Sequence, residues 1–302
     1  KTELSIELAK KLDAEIISAD SRQVYKHLDI GTAKASSEQL SEIKHHFVDI
    51  LEPDEFFSAG QFGKNSREII DKNIKQNKST IICGGSGFYI QAILGMIFDD
   101  STTDKKVREK IYEKGESVGW DKLWEEIEEK DSQYAEKISK NDKKRISRFF
   151  EIFETTGKYP SEHFKEQQKQ FSHEYLMIGL TLPREILYEK INRRVDKMIE
   201  KGLVKEVENI LKMGFDKSLN SINTVGYKEI IKYLNKEWTL EKAIIEIKKN
   251  SRHYAKRQLT WFRKYSPDCW FEYEKEMQKE KIISKIEDIL KNRDNIKEKF
   301  LF

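Results

Sequence analysis

The spacing of hydrophobic residues changes repeatedly along the first 100 residues, and this predicts helices and strands in turn. Apolar residues recur at helical spacing from Ser5 to Leu12, and the run AEIISAD at 14–20 predicts a buried strand. Further strands are predicted at 45–50 (HHFVDI) and 79–87 (STIICGGSG), with a helix between them at 58–77. Strands that alternate with helices are typical of a parallel sheet covered on both faces, so we expect an α/β fold.

From about 99 to 170 the pattern instead predicts charged helices without strands. One of these, at 141–157, is expected to stop at its terminal glycine. A buried strand is then predicted at 175–183. We therefore expect an α/β domain formed by residues 1–98 and 171–302, interrupted by a helical insertion domain at 99–170.

The last third of the chain contains long amphipathic helices, predicted at 184–213, with a break near Gly202, and at 240–264. The segment 269–273 (CWFEY) predicts an edge strand. Residues 274–302 are rich in lysine and glutamate, so we expect a terminal helix that is a solvated face and not a binding surface.

The composition excludes several classes of protein. Of the 302 residues, 36% are charged but 37% are hydrophobic, which favours a folded chain over a disordered one. Two cysteines, Cys83 and Cys269, are too few for a disulfide framework or a four-cysteine zinc site. No run of about 18 apolar residues and no signal peptide is visible, so we expect no membrane segment and a cytoplasmic protein. Since the net charge is only +3, a polyanion would have to be bound by local basic clusters.

Two turns at the predicted sheet edge carry candidate chemistry. Asp20 and Ser21 directly follow the first predicted strand, at the edge where ligands bind in open parallel sheets. A carboxylate there can accept a proton or hold a Mg²⁺-bound water, and an aspartate that only caps a turn is the alternative. In the glycine turn at 84–87, the amides and the Ser86 hydroxyl are suited to bind phosphate, and an ordinary loop is again the alternative.

Basic residues provide two further candidates. Lys144, Arg145 and Arg148 are three to four positions apart on one predicted helix face. Such a stripe suits a nucleic-acid backbone, but solvated helix faces carry similar charges. Arg193 and Arg194 lie in an amphipathic helix, from which a guanidinium can clamp an anion at the sheet edge.

The order of short motifs along the chain is the most specific feature of the sequence. They are KT at the first two positions, then ISADSRQVYKHLDIGTAK, HHFVDILEPDEFFSAGQF, GGSGFYIQA, NDKKRISR, RVDKM, VGYKEI and SRHYAKRQLTWFRK. In this order they resemble the tRNA dimethylallyltransferase family, also called the tRNA isopentenyltransferases, from Lys1 to about Lys264. The departures are small, since Ala35 stands where the family usually has proline and Ser86 where threonine is commoner.

The resemblance implies a P-loop parallel sheet flanked by helices, with a helical insertion domain that binds tRNA. Lys1 and Thr2 match the end of a phosphate loop of the form G-x-x-x-x-G-K-[ST], so the loop's glycines are expected upstream of Lys1. Such enzymes are expected to transfer a dimethylallyl group from dimethylallyl diphosphate to N6 of the adenosine 3′ of the anticodon in tRNA, releasing pyrophosphate. Mg²⁺ is the implied cofactor, and a monomer is expected.

The resemblance also implies a role for each site residue. Asp20 would take the proton from N6, Lys1, Arg194 and Ser86 would face the leaving diphosphate, and Thr2 would hold Mg²⁺. The target adenosine must be flipped out of its loop to be reached. The residues expected to contact the anticodon stem-loop are Asp20, Ser21, Arg22, Gln23, Ser86, Arg108, Lys144, Arg145, Ile146, Ser147 and Arg148.

Three other functions remain open at this point. An adenylate isopentenyltransferase would use the same chemistry on free nucleotide, a P-loop small-molecule kinase would transfer a phosphate from ATP, and an RNA-binding module would keep only the basic insertion. The insertion, together with the aromatic and basic helix at 251–264, favours RNA over a nucleotide or a small molecule. Asp20 and Arg194 together favour an enzyme over a binding module.

Overall fold

The computed structural model describes residues 1–97, 104–167, 173–265, 267–273, 278–292 and 300–301. The chain divides into two compact units. The first unit comprises Lys1–Phe56, Ile69–Gly87 and His173–Phe302, and the second comprises Phe57–Glu68 and Phe88–Ser172. Compactness does not show what a unit binds, so the division into a catalytic domain and a tRNA-binding insertion at 99–170 stays a prediction.

A five-stranded parallel sheet lies in the first unit, which confirms the α/β fold. Its strands are β1 (Ala14–Ala19), β2 (His45–His46), β3 (Ser79–Gly84), β4 (Tyr175–Leu176) and β7 (Phe300–Leu301). They lie in the order β2-β1-β3-β7-β4, and every pairing is parallel. Two further strands, β5 (Ile178–Thr181) and β6 (Cys269–Glu272), form a separate parallel pair.

Two of the predicted strands were wrong in extent. The segment 45–50 is a strand only over its first two residues, because Phe47 and Asp49 adopt left-handed backbone angles, with φ of 63° and 54°, that no strand accommodates. The segment 175–183 is divided at Met177 into β4 and β5, which belong to different sheets. The amide of Met177 donates to the Asp268 carboxylate at 2.7 Å, so a side chain takes the hydrogen bond that a continuous strand would use in its ladder.

More than half of the residues lie in helices. In chain order they are α1 (Thr2–Leu12), α2 (Ser37–Glu42), α3 (Ala59–Lys75), α4 (Gly87–Ile93), α5 (Lys105–Val118), α6 (Trp120–Lys130), α7 (Ser132–Ala135), α8 (Lys143–Thr156), α9 (Pro160–Gln167), α10 (Arg184–Glu200), α11 (Leu203–Lys212), α12 (Tyr227–Leu234), α13 (Leu240–Lys264) and α14 (Lys279–Asn292). The predicted break near Gly202 and the predicted helix at 240–264 are both confirmed.

The core of the first unit packs α1 and α14 against the sheet. Leu4 and Leu8 of α1 share one apolar cluster with Ile16 of β1 and Ile81 of β3. The side chains that α14 adds to this cluster are Ile282, Ile283, Ile286 and Leu290. The expectation of a solvated terminal helix was therefore wrong, because the apolar side of α14 is part of the core while its lysines and glutamates cover the outside.

The second unit is helical in its described part and has its own core. Ile127 of α6 and Ile146 and Phe149 of α8 are fully buried there. The Asp142 carboxylate caps the start of α8 by accepting from the Arg145 amide at 3.1 Å. Gly157, with φ of 72°, ends α8 as predicted.

Candidate functional site

The glycine turn lies against the end of β1, so Asp20 and Ser86 share one edge of the sheet. Ala19 pairs with Gly84 in the register of β1 and β3, and the Ser86 amide donates to the Ala19 carbonyl at 3.0 Å. A side chain at position 84 would place its Cβ 2.1 Å from that carbonyl oxygen. Only glycine allows so close an approach, which brings the Ser86 turn next to Asp20.

The Asp20 carboxylate forms a turn with one of its two oxygens and leaves the other open. Its Oδ1 accepts from the Arg22 amide at 2.9 Å, so this aspartate does form a turn. Among the described residues, no hydrogen bond occupies its Oδ2. A turn that fixes the carboxylate while leaving one oxygen open suits an acceptor of a proton. Asp20 can therefore cap the turn and also accept a proton.

Ser21 and Arg22, the two residues after Asp20, are more available than Gln23 to contact a ligand. Ser21 and Arg22 are partly exposed, and the Arg22 guanidinium contacts the Asn220 side chain at 3.4 Å. The Gln23 amide is used inside the protein, because its oxygen accepts from Ser18 at 3.0 Å and its nitrogen donates to the Thr32 carbonyl at 3.3 Å. Ser21 and Arg22 are therefore better suited than Gln23 to meet an extruded base.

Lys1 and Arg194 bring positive charge to Asp20. Burial lowers the pKa of the Lys1 ammonium below its usual value, and Cys83 and Asp20 oppose this shift. Burial also lowers the pKa of the Arg194 guanidinium, against the attraction of Asp20. Both residues retain exposed surface, as a site that admits an anion requires. We call Lys1, Thr2, Ser86 and Arg194 the candidate diphosphate site.

Helix α13 packs against the glycine turn at 84–87 through Gln258 and Trp261. The Gln258 side chain donates to the Gly85 carbonyl at 3.0 Å, and a Cβ at Gly85 would lie 1.9 Å from its Nε2. A Cβ at Gly87 would lie 2.4 Å from the Trp261 ring, which also stacks on Tyr265 at 4.3 Å. Trp261 is therefore a packing residue. Gln258 belongs to the motif SRHYAKRQLTWFRK, but the sequence assigned it no role of its own.

A second residue that the sequence did not reveal is Glu206 of α11. Its carboxylate accepts the amides of Asp29, Ile30 and Gly31 at 3.2, 2.7 and 3.1 Å. This fixes the loop whose Thr32 carbonyl accepts from Arg194 at 3.4 Å and from Gln23. Glu206 therefore positions the loop that holds the Arg194 side chain in place.

The residues around Thr2 fit a magnesium ion that is bound mainly through the substrate. Within the described residues, no group of three or more His, Cys, Asp or Glu side chains is placed to hold a metal. Mg²⁺ commonly takes one or two protein oxygens and completes its shell with phosphate oxygens and water. The Thr2 hydroxyl, at the start of α1, is an oxygen of this kind and has no hydrogen-bond partner in the described part of the chain.

The basic stripe of the second unit is partly neutralised. Lys144 and Arg145 are exposed, and the Arg145 guanidinium pairs with Asp142 at 3.4 Å and donates to the Lys137 carbonyl at 3.1 Å. In contrast, Arg108 and Arg148 both bind the fully buried carboxylate of Glu151, at 2.9 and 2.8 Å. The side chains of Ile146 and Ser147 are buried in the same helix, so their contact with RNA stays a prediction that this burial disfavours. Of the predicted RNA contacts in this stretch, Lys144 and Arg145 are the most available.

None of the helices in the described ranges is both long and apolar enough to cross a lipid bilayer.

Comparison with known proteins decides the family. The family described as IPP transferase matches residues 23–265, most of the chain. The chain belongs to the IPP transferase family. A relative in this family from Caldanaerobacter subterraneus subsp. tengcongensis, named tRNA dimethylallyltransferase, is 45% identical over 276 residues, covering 90% of this chain and 87% of the relative. Another of that name, from Thermotoga neapolitana, is 41% identical over 272 residues, covering 90% and 88%.

Solved IPP transferase structures have the same fold. The tRNA isopentenylpyrophosphate transferase of Staphylococcus epidermidis is 39% identical, with a TM-score of 0.70 over 97% of this chain and 95% of that one. A eukaryotic dimethylallyltransferase solved acting on tRNA is 27% identical, with a TM-score of 0.82 over 97% and 77%. The resemblance noted in the sequence is thus confirmed.

Proposed function

We propose that this protein transfers a dimethylallyl group from dimethylallyl diphosphate to N6 of the adenosine that follows the anticodon in tRNA. The observation that carries the proposal is the carboxylate of Asp20, held by the Arg22 amide with one oxygen open and flanked by Lys1 and Arg194. Relatives that are 41 to 45% identical over most of their length are named for this reaction.

Asp20 acts as the general base in this proposal. The lone pair of the adenine amino group is delocalised into the ring, which makes N6 a weak nucleophile. As N6 forms its bond to C1 of the dimethylallyl group, the bond from C1 to the diphosphate oxygen breaks, and the electron pair leaves with pyrophosphate. The proton lost from N6 passes to the open Asp20 oxygen, which keeps positive charge from building up on the nitrogen.

The candidate diphosphate site stabilises the leaving group. Negative charge grows on the diphosphate as the bond to carbon breaks, so cations aimed at it stabilise the transition state more than the ground state. Lys1 and Arg194 provide those cations, and Ser86 provides a hydroxyl donor. Mg²⁺, when bound through Thr2, would supply further positive charge to the same oxygens.

The RNA is recognised by groups that we assign within each unit. In the first unit, Ser21 and Arg22 follow the base directly and are partly exposed, so they are placed to engage the extruded adenosine or its neighbours. In the second unit, the exposed cations Lys144 and Arg145 suit the phosphates of the anticodon stem-loop.

Mass spectrometry of nucleosides tests this function. Full-length protein is incubated with Mg²⁺, dimethylallyl diphosphate and unmodified tRNA, and the digest is searched for N6-dimethylallyladenosine. A matched tRNA with guanosine in place of the target adenosine is the control. A parallel incubation with AMP distinguishes the free-nucleotide alternative, because product formed from AMP and none from tRNA would overturn the proposal.

A further inference from the structure

Helix α10 presents a row of basic side chains to a cleft in the first unit. Lys190, Arg193, Lys197 and Lys201 recur every three or four residues, so they lie along one side of the helix. All four line a cleft of about 810 Å³, and Arg194 lines it as well. A helix face with this charge pattern is self-repelling unless anions compensate it.

The chain itself compensates only part of this charge. Arg193 forms an ion pair with Glu189, one turn earlier in α10. Across the described residues, no carboxylate pairs with the side chains of Lys197 or Lys201, and neither side chain donates a hydrogen bond. Elsewhere in the lining, Asp29 and Asp49 share the single ammonium of Lys34, which leaves one negative charge against the basic row of α10. The cleft lining therefore keeps a net positive charge, and the ammonium groups of Lys197 and Lys201 have no carboxylate partner among the described residues.

The position of the cleft indicates what it binds. Arg194 belongs both to its lining and to the candidate diphosphate site. Lys197 and Lys201 are four residues apart in the chain, so one polyvalent anion can contact both, and the adjoining candidate diphosphate site makes a diphosphate the anion to expect.

We propose that Arg193, Lys197 and Lys201 form a second, outer diphosphate-binding site, adjoining the candidate diphosphate site through Arg194. The inference rests on the proposed function for its ligand, which is either pyrophosphate on its way out or dimethylallyl diphosphate on its way in. The outer site holds the anion electrostatically and involves no chemical step. Its binding weakens as salt is added, because exposed ammonium groups are screened.

Calorimetric titration of the full-length protein with inorganic pyrophosphate, at low salt and without tRNA, tests the outer site. We expect two pyrophosphates per chain. In Lys197→Gln/Lys201→Gln the second binding event should weaken by about tenfold or more, because two cations are lost. The matched control is Lys205→Gln/Lys212→Gln in α11, which changes the net charge equally but outside the cleft and should still bind two. A single site in the wild-type protein, or equal binding by both double variants, would overturn the proposal.

Steady-state kinetics then distinguish the two sources of diphosphate. If the outer site takes the product, the cleft variant needs a higher pyrophosphate concentration for inhibition while its KM for dimethylallyl diphosphate is unchanged. If it takes the substrate, that KM rises while kcat is unchanged. Failure of the proposed function is separable from failure of the outer site, because two pyrophosphates could bind to a protein that never modifies tRNA, and one to a protein that does.

Discussion

The hydroxyl of Tyr227 donates to the Glu206 carboxylate at 2.6 Å, in the interior of the first unit. Tyr227 is fully buried, and burial followed by the nearby carboxylate raises the pKa of its hydroxyl far above the usual value, so the hydroxyl remains a donor. A Cβ at Gly31 would lie 2.3 Å from the tyrosine ring. Tyr227 therefore orients the carboxylate that binds the loop at 29–31 and also fixes how closely that loop approaches.

Loss of the Tyr227 hydroxyl should destabilise the protein measurably. Tyr227→Phe removes one hydrogen bond to a carboxylate, for which we expect about 2 kcal/mol of lost unfolding free energy. Tyr233→Phe on the same helix is the matched control, since its hydroxyl has no hydrogen-bond partner in the described part of the chain, and it should change stability by less than about 0.5 kcal/mol. Urea unfolding measures both. Equal effects would show that the hydroxyl does not hold Glu206.

Gly31→Ala should be destabilising for a different reason. The added methyl group would collide with the Tyr227 ring, and overpacking of this kind costs about 1 to 3 kcal/mol. The nearest ring carbon would lie 2.3 Å from the added Cβ and the hydroxyl oxygen 2.8 Å, so most of the clash remains when the hydroxyl is removed. Because the double variant also loses the hydrogen bond to Glu206, Gly31→Ala combined with Tyr227→Phe should lose at least as much stability as Gly31→Ala alone. Recovery of stability in the double variant, again by urea unfolding, would contradict this account.

Replacement of Asp20 by asparagine should separate catalysis from loop structure. Asparagine keeps an oxygen that can accept the Arg22 amide but cannot take a proton, so turnover should fall by about 10²-fold or more while tRNA affinity stays near wild type. Asp20→Ala loses the turn as well and should be no more active. Single-turnover rates and filter binding measure the two quantities. A parallel fall in tRNA affinity in Asp20→Asn would assign the carboxylate to RNA binding.

Arg194→Gln should act on the leaving group. It removes a cation whose contribution grows as charge develops on the diphosphate, so kcat should fall by about 10²- to 10³-fold with tRNA affinity unchanged. Lys212→Gln, which removes one positive charge from α11, is the control for the general loss of charge. A variant with normal kcat and only a raised KM for dimethylallyl diphosphate would mean that Arg194 binds substrate and transition state equally.

The fold was largely predictable because its signals are local, whereas several site contacts were not. The spacing of apolar residues sets each helix and the main strands, and it can be read within one element. The division at Met177 depends on Asp268, which is 91 residues away, and Glu206 binds Gly31 across 175 residues. No local pattern reports such partners. Similarly, the basic stripe on α8 could be read from spacing, but the buried Glu151 that neutralises Arg148 could not.

Stability should decrease in mild acid partly through His45. Burial lowers the pKa of its imidazole below the ordinary 6.5, against a hydrogen bond with the Ile43 carbonyl. As the pH falls through about 6.5, the unfolded chain takes up the proton first, so the folded state loses stability until its own lower pKa is passed. His45→Gln should therefore lose less stability than the wild-type protein between about pH 7 and 5.

Urea unfolding across that pH range checks the role of His45. His253→Gln, which removes an exposed histidine from α13, is the control and should follow the wild-type curve. An unchanged pH dependence in His45→Gln would assign the acid sensitivity to other groups.

The salt dependence of tRNA binding should identify the RNA-binding face of the second unit. Arg148 is a poor choice for removal, because its loss leaves the buried Glu151 carboxylate with one fewer cation and puts folding at risk. Lys144→Gln/Arg145→Gln instead removes exposed charge, together with the exposed ion pair of Arg145 with Asp142 and its hydrogen bond to the Lys137 carbonyl. If each side chain contacts one phosphate, the slope of log affinity against log salt should flatten by up to about 1.4 to 1.8.

Lys110→Gln/Lys122→Gln changes the net charge of the same unit equally, at exposed lysines with no partner among the described residues, and should keep the wild-type slope. Equal slopes in all three proteins would make the stripe on α8 an ordinary solvated helix face, and activity on a free nucleotide would then be the stronger hypothesis.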